Sequence, residues 1–234
     1  MYSRKPRIRL WPLVMAAVMV LGSLVGVALA KYVYSTELHA TVTFSARLAD
    51  NLWLQEHAVE RQTDGSYVLT STVLPVLDED GNVTDNQNDY ILMPGVDVPK
   101  DPYITIDGKT PLEAYLFVEV VDSLDSDNTK VTYEMEPHWL DITNQVTPEH
   151  GGRVYVYAKD SVAVKVTADV DELGILKGDT VYVSQKLDKN ATDLELKFYA
   201  ALGEIAVVTE GNVTRERTPA EVYWDVYHNP DINT

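Results

Sequence analysis

Ala40-Thr41-Val42-Thr43-Phe44-Ser45-Ala46-Arg47-Leu48 decides the fold class of this chain. Val42, Phe44, Ala46 and Leu48 fall on one side of an extended backbone. Thr41, Thr43, Ser45 and Arg47 fall on the other. That period of two is the mark of a half-buried strand. The pattern returns downstream. Leu116, Val118 and Val120 alternate with Tyr115, Phe117 and Glu119; Val154, Val156 and Ala158 alternate with Arg153, Tyr155 and Tyr157. Val162, Val164 and Val166 alternate with Ala163, Lys165 and Thr167. Residues 67–74, 103–106, 131–135, 180–186 and 194–200 are further expected strands.

Turn chemistry separates these runs. Asp64-Gly65, Asp80-Gly81, Asp107-Gly108, Gly151-Gly152 and Lys177-Gly178-Asp179 punctuate the chain. Short strands with turns between them, and no strand–helix alternation, predict an all-β antiparallel sandwich and speak against a parallel sheet. Two stretches depart from the pattern. Asp78 to Asp89 is acidic and Asn-rich and reads as a long mobile loop. Thr218-Pro219-Ala220-Glu221 is a capping box with proline at the first helical position. Val222, Tyr223, Val226 and Tyr227 then share a helical face, predicting a short C-terminal helix over residues 219–227 packed on the sandwich.

The N-terminus is of another kind. Arg4, Lys5, Arg7 and Arg9 precede an uncharged run from Leu10 to Ala30, which ends in Ala28-Leu29-Ala30. This is the three-part pattern of an export signal, with cleavage expected after Ala30 and before Lys31. The run is also long enough to remain as a hydrophobic helical anchor. Basic residues stay cytoplasmic, so both readings place residues 31–234 outside the cell, as one domain.

Composition narrows the function. The 234 residues hold 19 Lys and Arg against 36 Asp and Glu, a formal charge of −17. Without residues 1–30 the balance is 15 against 36, or −21. Such a surface repels phosphate, which argues against nucleic acid as a partner and limits membrane contact to the N-terminal segment. Cysteine is absent, which removes disulfides, thiol catalysis and thiolate metal sites. An exported protein without cysteine suits a Gram-positive envelope.

No catalytic motif is visible. The five histidines, His39, His57, His138, His150 and His228, include no pair at helical zinc-ligand spacing. There is no nucleophile elbow and no phosphate-binding glycine loop. No cofactor is expected, and the chain does not read as an enzyme. Calcium is the best metal candidate. Asp78, Asp80 and Asn82 begin a loop of alternating oxygens, but Val83 stands where the loop glycine belongs and Asp89 closes it in place of glutamate. A solvated acidic loop is the competing reading, and it is the favoured one. Trp139 reads as core in preference to an exposed sugar-binding platform.

Four segments, in order, resemble the TasA/camelysin family of secreted bacterial surface and biofilm-matrix proteins. Ala28-Leu29-Ala30-Lys31-Tyr32 followed by Ala40-Thr41-Val42-Thr43-Phe44 resembles the signal peptides cut by SipW-type peptidases, with a strand soon after the cut. Leu92-Met93-Pro94-Gly95 resembles the family's lead-in to a strand, followed here by Val96-Asp97-Val98-Pro99-Lys100-Asp101-Pro102 with its additional prolines. Trp139 with Gly152-Arg153-Val154-Tyr155-Val156-Tyr157, and Leu196-Lys197-Phe198-Tyr199-Ala200-Ala201, complete the set. The resemblance implies a jelly-roll sandwich at the cell surface, in a family some of whose members form matrix fibres.

The expected function is therefore a secreted structural protein that self-assembles as a fibre or coat. Residues 31–48 would act as a donor strand, with Val42, Phe44, Ala46 and Leu48 filling a neighbour's pockets. The alternative for this strand is pairing within its own sandwich. Partners would be the protein itself or other matrix proteins, with a SipW-type peptidase for processing. A cell-surface binding module for polysaccharide or host protein is the second reading, and a surface peptidase the third. No Leu-Pro-x-Thr-Gly sorting signal or hydrophobic tail follows Tyr227, so covalent wall attachment is not expected.

Overall fold

Alternating apolar side chains can be buried only when extended segments pair side by side, and the chain follows that rule. The computed structural model describes residues 36–44, 52–106, 113–124, 130–166, 170–187, 194–210 and 212–228. Its first half contains β1 (Thr36–Phe44), β2 (Leu52–Arg61), β3 (Tyr67–Leu74), β4 (Val76–Leu77), β5 (Val83–Asp85) and β6 (Gln87–Leu92). Next come β7 (Val98–Pro99), β8 (Tyr103–Ile106), β9 (Ala114–Asp122), β10 (Val131–Thr132), β11 (Trp139–Asp141) and β12 (Arg153–Lys159). The last third holds β13 (Val162–Ala163), β14 (Val170–Gly174), β15 (Thr180–Val183), β16 (Leu194–Glu204), β17 (Val207–Glu210), β18 (Val213–Glu216) and helix α1 (Pro219–His228).

The largest sheet has the order β11-β12-β9-β16-β1-β6, with β13 added beside β12. A four-stranded sheet runs β14-β8-β2-β3, and a three-stranded one β10-β15-β7. Hairpins β4–β5 and β17–β18 stand apart. The all-β class and the antiparallel rule hold with one correction. β1 runs parallel to β16, Leu38 opposite Leu194 through Phe44 opposite Ala200. Every other pairing of described strands is antiparallel. A parallel neighbour needs a long connection, and here nearly the whole described chain lies between the two strands.

One apolar cluster joins the facing sheets. Leu38 and Ala40 of β1, Leu52 and Leu54 of β2, Tyr90 and Leu92 of β6, and Leu196 and Phe198 of β16 belong to it. β9 is buried on both faces. Leu116, Val118 and Val120 enter this core. Tyr115 and Phe117 meet Val154, Val156, Val222 and Tyr223 on the opposite side, beneath α1. The helix begins as its capping box predicts. The Thr218 N–H donates to Glu221 Oε2 (2.7 Å), and the Glu221 N–H to Thr218 Oγ1 (3.4 Å). Val222, Tyr223 and Val226 are its buried residues. Gly203 on β16 lets the helix approach, because a Cβ there would collide with Val222 and Val226.

Other expectations shift. Asp78 to Asp89 is a tight turn followed by β5 and the start of β6, not one long loop. Residues 52–61 form a full strand that the alternation rule passed over. The described part of the 162–167 run pairs with β12 at Val162 and Ala163, where the Val164 N–H also donates to the Tyr157 carbonyl (3.1 Å), and meets Ala114 at Val166 as an isolated bridge. Ala28, Ala30 and Lys31, with the whole 1–30 segment, lie outside the described residues. Among the described residues no helix is long and apolar enough to cross a membrane.

Candidate functional site

The expected donor strand occupies an inner position. β1 lies between β16 and β6, hydrogen-bonded on both sides. Val42 stands opposite Phe198 and Phe44 opposite Ala200. On the other edge Thr36 to Thr41 run antiparallel to Leu92 to Gln87. Leu38 and Ala40 are fully buried. Ala46 and Leu48 lie outside the described residues. Among the described strands β6 joins the sheet through β1 alone, so a vacated β1 slot would leave β16 and β6 as two separated edges.

A polar cluster sits against this slot. Alternation along β2 turns Leu52, Leu54 and Glu56 inward, and along β6 it turns Asn88, Tyr90 and Leu92 inward. Glu56 and Asn88 therefore stand where apolar residues belong. Lys100, one residue past β7, reaches the same place. Side-chain exposure is 0% for both Lys100 and Glu56, and their Nζ and Oε2 form an ion pair. Asn88 Nδ2 donates to Glu56 Oε1 (3.0 Å). The Lys100 Nζ also lies 5.5 Å from the ring centre of Phe198, on the strand that flanks β1. Burial pushes the Lys100 amine well below the ordinary lysine range, and the nearby Asp101 charge opposes that shift.

Asn88 is held by the backbone as well. The β2–β3 ladder shifts register between His57 and Val59. Across that bulge the Val59 N–H donates to Asn88 Oδ1 (3.0 Å), while Asn88 Nδ2 donates to the His57 carbonyl (3.0 Å). One side chain thus replaces the ladder bonds that the bulge forgoes. Nearer solvent, His57 Nδ1 lies 2.6 Å from Asp101 Oδ2, and the His57 N–H donates to Asp101 Oδ1 (3.0 Å). The bonds from Asn88 to Glu56 and to the bulge join β6 to the facing sheet independently of β1.

The remaining sequence candidates are placed as follows. The Asp78 carboxylate Oδ1 accepts the N–H of Asp80 (2.9 Å) and of Asn82 (2.8 Å), closing the β4–β5 turn on itself. These bonds hold the Asp78 carboxyl below the usual carboxylate range, the Asn82 side chain being the largest cause. Asp89 is exposed on β6, where Gln87 Nε2 donates to it (2.5 Å). Among the described residues no group of three His, Asp or Glu side chains is disposed to hold a metal ion. Trp139 is core, 5% exposed, its Nε1 donating to the Gly174 carbonyl (3.0 Å). His138 also contacts that carbonyl, and His150 stacks on Tyr199 with ring centres 3.7 Å apart.

The exposed tryptophan that matters is Trp224, on the outer face of α1. It is 53% exposed and stacks on His228. With Gln145, Val208, Arg217, Ala220, Glu221 and Asp225 it lines an open cleft of about 380 Å³. Its position was legible in the helical periodicity, since Val222, Tyr223 and Val226 claim the inner face. Glu56 and Lys100 carried no such signal, because their partners lie 44 residues apart in sequence.

No family model, curated protein or solved structure matches the chain.

Proposed function

We propose that this is a secreted structural protein of the cell surface or extracellular matrix, which assembles by exchanging β1 between subunits. On this reading the two sheets form a jelly roll of the TasA/camelysin kind, and the chain is not an enzyme. The observation that carries it is the inner position of β1. A strand paired on both sides and parallel to β16 makes the same main-chain bonds whether its own subunit or a neighbour supplies it. Removal of an export signal before Lys31 would leave this strand near a free end. Head-to-tail donation does not close on itself and yields a filament. Processing would fall to a SipW-type peptidase, and the partners are further copies or other matrix proteins.

The test is electron microscopy of the purified exported protein over days, with and without a synthetic peptide of residues 31–48. Filaments that the peptide suppresses support the reading. A protein that stays monomeric at mildly acidic pH and high salt defeats it.

The cleft at Trp224 favours a second reading. A flat aromatic flanked by Arg217, Glu221 and Asp225 has the makings of a sugar-binding platform on a cell-surface binding module. Fluorescence titration of Trp224 with wall and matrix polysaccharides distinguishes the two.

A further inference from the structure

We propose that Lys100 and Asn88 become joined by an intramolecular amide bond, with Glu56 as the acid–base group that forms it. The three side chains are buried, at 1% exposure for Lys100, 0% for Glu56 and 4% for Asn88. An ion pair would need only two of them. The third is an amide whose orientation is fixed at both ends, and one carboxyl group bridges the attacking nitrogen and the leaving nitrogen. Oε2 meets Lys100 Nζ, and Oε1 meets Asn88 Nδ2.

The chemistry follows from those contacts. In a site this deeply buried, proton transfer from the ammonium to Glu56 replaces two buried charges by a neutral amine and a neutral acid. The depressed affinity of Lys100 for its proton agrees with this. The amine lone pair then attacks Asn88 Cγ, forming the new C–N bond, and the carbonyl electron pair moves onto Oδ1. The Val59 N–H, already 3.0 Å from that oxygen, is placed to stabilise the developing charge. Glu56 gives its proton through Oε1 to Nδ2, the old C–N bond breaks, and ammonia leaves. The attacking nitrogen returns a proton to Glu56, which ends as the neutral acid. Nothing is oxidised or reduced, and no co-reactant is consumed. Phe198 closes one side of the site, and exclusion of water removes the competing hydrolysis. Their common contact with Glu56 holds the amine and the amide in one buried site, a proximity that free lysine and asparagine lack.

The bond would pin β6, which lies outside β1 in the sheet, to the segment after β7. It would hold the outer wall of the β1 slot in place when β1 is absent. The inference does not depend on strand exchange, since its readout is covalent mass rather than filaments.

Mass spectrometry of the full-length chain tests it. Methionines stand at positions 1, 15, 19, 93 and 135, so cyanogen bromide cuts between Asn88 and Lys100. The expected result is that fragments 20–93 and 94–135 remain joined, with a combined mass short by one ammonia. Glu56→Gln should release them as separate fragments of full mass, and Asn88→Asp should link them with loss of water instead. Separate, full-mass fragments from the unaltered protein would overturn the proposal, whatever the variants do. Loss of one water from the unaltered protein would also overturn it, by making Glu56 the acceptor in place of Asn88. A Glu56→Gln protein that links as completely as the parent would remove Glu56 from its assigned role.

Discussion

Lys100 shows how one side chain holds two sheets to account. Its amine is buried against Glu56 on β2, and Glu56 in turn receives Asn88 from β6. In an Asn88→Ala background, where the lysine keeps its free amine, Lys100→Met keeps most of the volume but strands a buried carboxyl, which costs about 3–5 kcal/mol in comparable pairs. The double variant Lys100→Met with Glu56→Leu should recover most of that loss, because no charge is then left unmatched. Denaturant melts of the four proteins in the cycle check this. Additive single losses would show that the two groups do not depend on each other. Gly152 is a second sensitive residue. A Cβ there would run into the Val120 carbonyl, a backbone group that cannot step aside. Its N–H also donates to the buried Glu119 (2.9 Å). Gly152→Ala should therefore destabilise the fold by about 1–3 kcal/mol, measured as a lowered melting temperature.

Two elements carry the next level. At the start of α1, Arg215 and the Thr218 N–H pull the Glu221 carboxyl down to about 2, from an ordinary value of 4.5. A carboxylate held below its unfolded value stabilises the folded state above pH 4.5, and that contribution is lost as pH falls from there toward 2. The tryptophan emission of Trp224, on this helix, should therefore shift across that window. Glu221→Ala should remove the shift and weaken the helix start by roughly 0.3–1.5 kcal/mol. An unchanged acid profile in the variant would show that the transition belongs elsewhere. In the large sheet, β1 is the element that would decide the proposed assembly. Ala40 is buried between two neighbours, so Ala40→Pro removes a ladder donor and places a ring in an inner strand. Filament growth should be abolished. Melting of the soluble variant, measured alongside, separates a failed donor from a failed subunit. A folded Ala40→Pro monomer that still polymerises would rule out main-chain donation by β1.

At the scale of the whole molecule, charge would set the terms of the proposed assembly. Without residues 1–30 each subunit carries a formal −21, and neighbours of like charge repel at low ionic strength. Filament growth should quicken several-fold with added salt, and again as acid protonates exposed carboxylates. Turbidity or light scattering against salt and pH reads this directly. Growth that slows with salt would point to attraction between opposite charges at the contact, and away from strand pairing as the driving interaction.

How much of this could be read from residue order depends on what each residue needs nearby. Period-two runs such as 115–120 and 153–158 announced β9 and β12, because both faces of a strand are written in consecutive residues. The capping box at Thr218 and Glu221 announced α1 for the same reason: its partners are three residues apart. β2 and β6 escaped because Glu56 and Asn88 occupy their inward positions, and a polar residue at a core position reads as loop. What excuses them is a lysine at position 100 and a bulge at 57–59, neither of which is local. The parallel pairing of β1 with β16 escaped for the same cause, since ladder bonds between residues 38–44 and 194–200 leave no trace in either segment. Side-chain alternation is a property of a strand, and sequence is enough to show it. Which strand lies beside which, and which buried charges meet, is a property of the packed chain, settled only when distant segments must satisfy one another out of reach of water.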